Sequence, residues 1–195
     1  MPGSATDTRT AVLARMVGNA PQQKLGRTQV MKLFYFLQEL KGVGLGYDFR
    51  LFTYGPFDAE VLGDLATACS LEVVAEQTVI YARGYGYDIT PGKHAGRLSQ
   101  ELERAAPALA SQVDEVVREF GSLGAAELEL RSTILFVDRE LGQAGTVATA
   151  QDVAARVRQI KPHFTEATIL DRIKQMKDKA WLENLSAGAQ NPIPF

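Results

Sequence analysis

Apolar residues recur at helical spacing over most of the chain, and short alternating runs interrupt them only in the first half. Residues 8–18 place Val12, Leu13, Met16 and Val17 on one side of a helix, with Gly18, Asn19 and Pro21 as stop signals. The next predicted helix, residues 27–41, is different in kind. Its centre, residues 31–37 (MKLFYFL), is apolar on nearly every face, the pattern of a helix enclosed by the rest of its fold. It ends at Gly42, Gly44 and Gly46. Residues 47–53 then alternate loosely and predict a short strand, and Tyr54, Gly55, Pro56 and Phe57 predict a turn into a third helix. Asp58 stands where a short carboxylate caps free N–H groups and favours the helix dipole, ahead of an apolar stripe of Ala59, Val61, Leu62, Leu65 and Ala66.

Residues 71–75 and 78–82 predict two further strands, a turn at residues 83–86 follows, and residues 85–89 return as another strand. Pro91 is expected early in a helix. Three helices and then a hairpin is the order of a winged helix. The second half is predicted helical throughout. Residues 97–120 form a long amphipathic helix bent near Pro107, and Gly121 to Gly124 break it. Residues 125–141 follow, with Leu128, Ser132, Leu135 and Phe136 near one face. Thr149 and Asp152 resemble a capping box ahead of residues 153–160. Pro162 interrupts, Thr165 is placed to cap a last helix running to about Leu185, and residues 186–195 are expected to be loose. The expected fold is therefore mainly α with a small antiparallel β-hairpin, in the α+β class. A winged-helix-like half (residues 1–96) precedes a helical half (residues 97–195), and the pattern leaves open whether both share one core.

Composition narrows this little. With 195 residues, 46% apolar and 23% charged, the chain has the makeup of an ordinary globular protein. Its apolar runs are a few residues long, against the roughly 20 that a spanning helix needs, so no membrane segment is expected. Residues 1–7 lack the basic and apolar regions of a signal peptide. The one cysteine, Cys69, suits a reducing compartment, and a cytoplasmic location is the expectation.

Charge changes the picture more. The net charge is −2, but residues 1–50 carry +4, residues 51–150 carry −8 and residues 151–195 carry +2. In a winged helix the third helix normally enters the major groove with basic and amide side chains. Here residues 58–69 hold Asp58, Glu60 and Asp64 and no Lys or Arg, a composition that repels phosphates. The remaining basic positions are Arg27 and Lys32, Arg83 at the hairpin turn beside Tyr85, and Lys174, Lys177 and Lys179 on the last helix. Of these, Arg83, Lys174 and Lys177 are the nucleic-acid contacts of the alternative reading, a winged-helix transcriptional regulator.

Candidate chemistry is sparse. His94 and His163 lie in separate segments, and no spacing resembles a metal-ligand cluster. Cys69 closes an apolar stripe and reads as a packed thiol. The Gly42–Gly46 run follows a helix and precedes a strand, the reverse of a dinucleotide-binding loop. The carboxylates at Asp114, Glu115, Glu127, Glu129, Asp138 and Glu140 read as solvated helix faces. No catalytic residue, metal or cofactor is expected.

Two stretches carry a family resemblance. KLFYFLQ (residues 32–38), followed by FRLFTYGPF (residues 49–57), resembles the Panacea (SocA-like antitoxin) domain, in which a KLLYF-type helix precedes a strand ending in YGP. It is similar also to YwgA-type bacterial and archaeal proteins. The match covers about residues 25–65, a fifth of the chain. The resemblance implies a non-catalytic module that neutralises a protein toxin by direct binding, with a link to phage defence as a further implication. An acidic surface would then capture a basic partner electrostatically. The candidate partner-binding residues are Tyr54, Asp58, Glu60, Asp64, Arg83 and Tyr85, and the oligomeric state, a homodimer included, stays open.

Overall fold

The computed structural model describes residues 5–81, 84–145 and 148–185. Among these it is mainly helical, with two small antiparallel hairpins, as the pattern predicts. The chain divides into two compact units, residues 1–128 and residues 129–195. The first unit begins with α1 (Ala5–Asn19) and α2 (Arg27–Lys41), and Val12, Leu13, Met16 and Val17 of α1 are buried as expected. In α2 every residue from Val30 to Leu37 is buried, including Lys32. Aromatic rings gather around this helix. Phe36 stacks on Phe120 at 4.0 Å, Phe34 meets Tyr47 edge-on at 5.3 Å, and Tyr35 meets Phe49 at 5.1 Å. Gly42 ends α2 with φ +64°, a left-handed conformation that suits a residue without Cβ.

The segment after α2 differs from the expected single strand and turn. β1 (Arg50–Phe52) pairs with β2 (Gly55–Phe57), so three of the four residues of the anticipated turn are themselves a strand. Phe52 faces Gly55 across the hairpin, Thr53 and Tyr54 form its tip, and Gly55 has φ +85°. Next comes α3 (Ala59–Ser70), and Asp58 caps it as predicted, accepting a hydrogen bond from the Glu60 N–H at 2.8 Å. Its buried face is Val61, Asp64, Leu65 and Ala68, while Ala59 and Ala66 of the expected stripe point outward. Asp64 has partners far away in the sequence, described below.

The two strands expected at residues 71–75 and 78–82 are one strand, β3 (Val74–Tyr81), paired along its length with β4 (Gly84–Pro91). Pro91 closes that strand instead of opening a helix. Leu25, ahead of α2, adds a bridge to the hairpin by exchanging N–H···O bonds with Ile89 at 3.0 and 2.8 Å. The elements of this part follow in the order α1, Leu25 bridge, α2, β1, β2, α3, β3, β4. The long helix anticipated over residues 97–120 is two, α4 (Ala95–Ala105) and α5 (Pro107–Phe120), because Pro107 supplies no N–H to continue the first. Both pack on α1, and α5 also packs on α2, so the first unit extends well past residue 96, where the sequence pattern placed a boundary.

The boundary between units falls within α6 (Ala125–Gln143). The second unit continues with α7 (Ala150–Ile160) and α8 (Glu166–Asp178). Thr149 and Asp152 form the predicted capping box, and Thr165 caps α8. That helix stops at Asp178, short of Leu185, and Ala180 follows with φ +55°. The unit's apolar interior contains Ile134, Leu135, Val153, Val157, Ile169, Ile173 and Met176. Buried beside them are Asp138, fully enclosed, and Lys161, paired with Glu129. No helix among the described residues is long and apolar enough to cross a membrane.

Candidate functional site

The β1–β2 hairpin is too short to bury both faces, and its aromatic residues therefore border an opening. A groove of about 380 Å³ lies between α2, the hairpin and α3, lined by Met31, Lys32, Phe52, Tyr54, Phe57 and Leu62. Phe52 and Tyr54 are 61% and 70% exposed, the ordinary cost of large apolar surface in water left in place. Phe52 and Phe57 keep each other in position with ring centroids 5.5 Å apart. Below them the Lys32 ammonium donates to the Pro56 carbonyl at 2.5 Å, which ties α2 to β2 and keeps the cation out of the groove's surface.

Arg27 stands at one end of the groove. Its guanidinium binds both oxygens of Glu76 on β3, at 2.7 and 2.5 Å, and stacks over the Tyr87 ring at 3.5 Å from its centroid. Beyond Tyr87 the same face of the hairpin continues to Tyr85 and Ile80, directly opposed in register and both strongly exposed. An adjoining pocket of about 390 Å³ is bordered by Arg27, Leu65, Cys69 and Glu76. Burial raises the Cys69 thiol above its ordinary pKa, so the thiolate, the nucleophilic form, is disfavoured there.

The acids of α3 do not make an acidic surface. Asp58 is occupied in capping and also accepts from the Asp48 N–H at 2.6 Å. Asp64 is buried and accepts from the Tyr47 hydroxyl at 2.7 Å and from Arg9 at 3.3 Å. Glu60 is the most exposed of the three, and it pairs with the same Arg9 at 2.9 Å. Arg9, from α1, further stacks on Tyr47 at 4.1 Å and donates to the Leu45 carbonyl. Burial, together with the Asp64 carboxylate, holds the Tyr47 phenol well above its usual pKa of 10.0. What α3 presents outward is Ala59, Gly63, Ala66, Thr67 and Ser70 beside Glu60. That face lacks the Arg, Lys, Asn and Gln side chains that read base edges.

Of the candidate residues, the structure brings Tyr54 to the groove and Tyr85 to the exposed hairpin face, edge-on to Tyr87. Asp58 and Asp64 serve the fold, Glu60 sits at the rim of the Arg9 cluster, and Arg83 lies outside the described residues. Lys174 and Lys177 belong to α8 in the second unit, where Lys174 pairs with Asp178 at 3.1 Å and Lys177 is exposed. The sequence pattern passed over Phe52, Met31, Leu62 and Arg9. The spacing of Phe52, Tyr54 and Phe57 around Gly55 is the one local signal of an aromatic hairpin. His94 precedes α4 in the first unit and His163 lies in the second, and no group of three or more potential metal ligands occurs among the described residues. A scan of the sequence against protein-family models gives no match, and a search of curated proteins gives none.

Proposed function

We propose that this chain is a non-catalytic protein-binding module, similar in role to Panacea-type antitoxins, and that its partner docks on the groove beside the β1–β2 hairpin. The observation that carries this reading is the pair of exposed aromatics, Phe52 and Tyr54, bordering a preformed apolar groove. Aromatic anchors over desolvated pockets supply much of the binding energy at protein interfaces. The outward face of α3 is small and uncharged next to the groove, which permits close approach of a partner backbone. Docking therefore rests on apolar contact, and the electrostatic capture anticipated from the acids of α3 has only Glu60 to draw on. Toxin neutralisation, a role in phage defence and a cytoplasmic location are the wider parts of the proposal.

Affinity purification of the chain from its native host tests it. A stoichiometric protein partner is expected, encoded by a neighbouring gene that is toxic when expressed alone. Tyr54→Ser combined with Phe52→Ser should abolish its recovery while leaving the unfolding transition of the module in place. Recovery of the partner at wild-type levels by that double variant would remove the groove from the reading, and an absent partner would remove the reading itself.

A further inference from the structure

The β3–β4 hairpin is anchored at its base and bare beyond it. Val73, Val74 and Ile89 are buried, whereas Ala75, Gln77, Thr78, Ile80, Gly84 and Tyr85 are exposed, so both faces of the outer hairpin meet solvent. Ile80 is 88% exposed and Tyr85 72%, and they oppose each other in register. Two strands alone are marginal in water, and a third or fourth makes a sheet independently stable. Natural sheets protect a bare edge with lysine, proline, a bulge or a covering element. Residues 77–81 of β3 contain no charge and no proline, and the pairing with β4 runs without a bulge from Val74 to Tyr81.

The register identifies the backbone groups on that edge. Ile89 exchanges its N–H and C=O with Leu25, on the side of β4 away from β3. Glu76, opposite Ile89, therefore turns its own N–H and C=O away from β4, and the period of two makes Thr78 and Ile80 do the same. The outward N–H of Glu76 is taken up by the Cys69 sulfur near the end of α3. Those of Thr78 and Ile80, and their carbonyls, have no partner among the described residues.

These groups are complementary to themselves. An antiparallel second copy, related by a two-fold axis at Val79, puts Thr78 of each copy opposite Ile80 of the other. Both pairs are then of the hydrogen-bonded kind, so four N–H···O=C bonds form and no outward group of Thr78 or Ile80 is left over. Tyr87 and Thr78 of one copy continue into Ile80 and Tyr85 of the other as one row on a single face, which covers Ile80. On the opposite face Val79 meets its own counterpart at the closer, non-hydrogen-bonded spacing. The charged side chains within the two strands are Glu76 and Asp88, each neutralised inside its own copy by Arg27 and Lys24, so like charges do not oppose the pairing.

We propose that the outer edge of β3 is a homodimer interface, where the hairpins of two copies join as one four-stranded antiparallel sheet. Residues 77–81 do not line the groove, so dimerisation stands or falls apart from partner docking. Four backbone bonds and a few side chains make a contact well under the roughly 1,600 Å² of a standard interface, and a Kd on the order of 100 µM is expected.

Sedimentation velocity of the full chain, over concentrations spanning that constant, should show a monomer–dimer equilibrium. Ile80→Lys brings two cations together beside the axis and should weaken dimerisation about tenfold or more, with no burden on folding at so exposed a position. Register is read by oxidation in a Cys69→Ser background. Val79→Cys should give a disulfide-linked dimer, because residue 79 faces itself, whereas Gln77→Cys, opposite residue 81 of the other copy, should not. A monomer throughout the series would leave the edge to a strand of another protein and overturn the proposal. So would a dimer indifferent to Ile80→Lys, or one cross-linked as readily through residue 77 as through residue 79.

Discussion

The two compact units solve the problem of a small core in different ways. In the first, aromatic rings fill the space around α2, and the buried charges Arg15, Lys32 and Asp64 each tie one element to another. Arg15, for example, holds both oxygens of Asp114 at 2.7 and 2.6 Å, joining α1 to α5. In the second, the buried apolar side chains are aliphatic or Met, with no aromatic ring among them, and Asp138 and Lys161 are enclosed beside them. Asp138 is fully enclosed, and it accepts from Arg139 at 2.8 Å, from the Glu183 and Asn184 N–H groups at 3.1 and 3.2 Å, and from the Asn184 amide at 3.3 Å. The contrast follows from size. A unit of about 67 residues buries a smaller share of its surface than one of about 128, so polar networks do more to fix its geometry. The larger unit has apolar surface to spare, and it leaves some of it open at the β1–β2 hairpin.

The largest effect that would break this contrast is at Asp138. Asp138→Ala strips four donors of their acceptor inside the smaller unit, and a cost of about 4 kcal/mol is expected, within the range for a broken buried pair. Urea unfolding measures it, and protease cleavage after residue 178 should accelerate as the 183–185 segment is released from α6. An effect below about 1 kcal/mol would place Asp138 with ordinary surface acids. The Lys161–Glu129 pair should come next. Lys161→Met leaves the mostly buried Glu129 carboxylate without that ammonium, at about 3 kcal/mol, and adding Glu129→Leu should restore most of the loss. If the double variant is as unstable as the single one, the pair is not what Lys161 contributes.

What the sequence makes legible follows the range of the interactions. Asp58, Thr149 and Thr165 cap helices through partners two or three residues away, and each is visible locally. The all-round apolar centre of α2 marks a core helix without further information, and Pro107 breaks a helix wherever it stands in one. The β1–β2 hairpin is harder, because three-residue strands hold too few positions to show alternation. In β3, Glu76 and Gln77 interrupt the apolar run and suggest two strands, although Glu76 is there for Arg27, 49 residues away. The surface of α3 is least legible of all. Asp64 counts as an exposed acid until Arg9 and Tyr47 are brought beside it, from 55 and 17 residues away. The expectation that α3 is a poor DNA-reading helix rests, with Asp64 buried, on the lack of Arg, Lys, Asn and Gln on its outward face more than on negative charge.

Tyr47 gives a test of intermediate size on the same cluster. Its phenol is held protonated in the folded state and ionises near pH 10 when the chain unfolds. A folded-state pKa above the unfolded one contributes stability that is fully present below about pH 10 and is lost as pH rises beyond it, by up to about 1.4 kcal/mol per pH unit. Tyr47→Phe should cost about 1–2 kcal/mol at pH 7, where Asp64 loses a donor, and should flatten the alkaline decline. Denaturation curves between pH 7 and 11 separate the two effects. Parallel alkaline slopes in both proteins would mean that Tyr47 ionises freely in the fold.

The smallest stability effect is the one that most sharpens the functional contrast. Glu60 and Tyr54 are both exposed near the start of α3, one charged and one aromatic, and neither holds the core together. Glu60→Gln removes an exposed ion pair, and such pairs contribute about 0–1 kcal/mol, so its unfolding midpoint should barely move. Tyr54→Ser should be close to neutral as well, since the ring is mostly in water already. Their effects on partner capture should diverge. With a groove that binds through apolar contact, Glu60→Gln retains the partner and at most slows association at low salt, where screening is weak. Tyr54→Ser loses the anchor, and the loss appears in the dissociation rate. Surface plasmon resonance at two salt concentrations distinguishes the two. If Glu60→Gln instead accelerates dissociation and Tyr54→Ser does not, binding runs through the Arg9 cluster on α3, and the groove is a consequence of a hairpin too short to close.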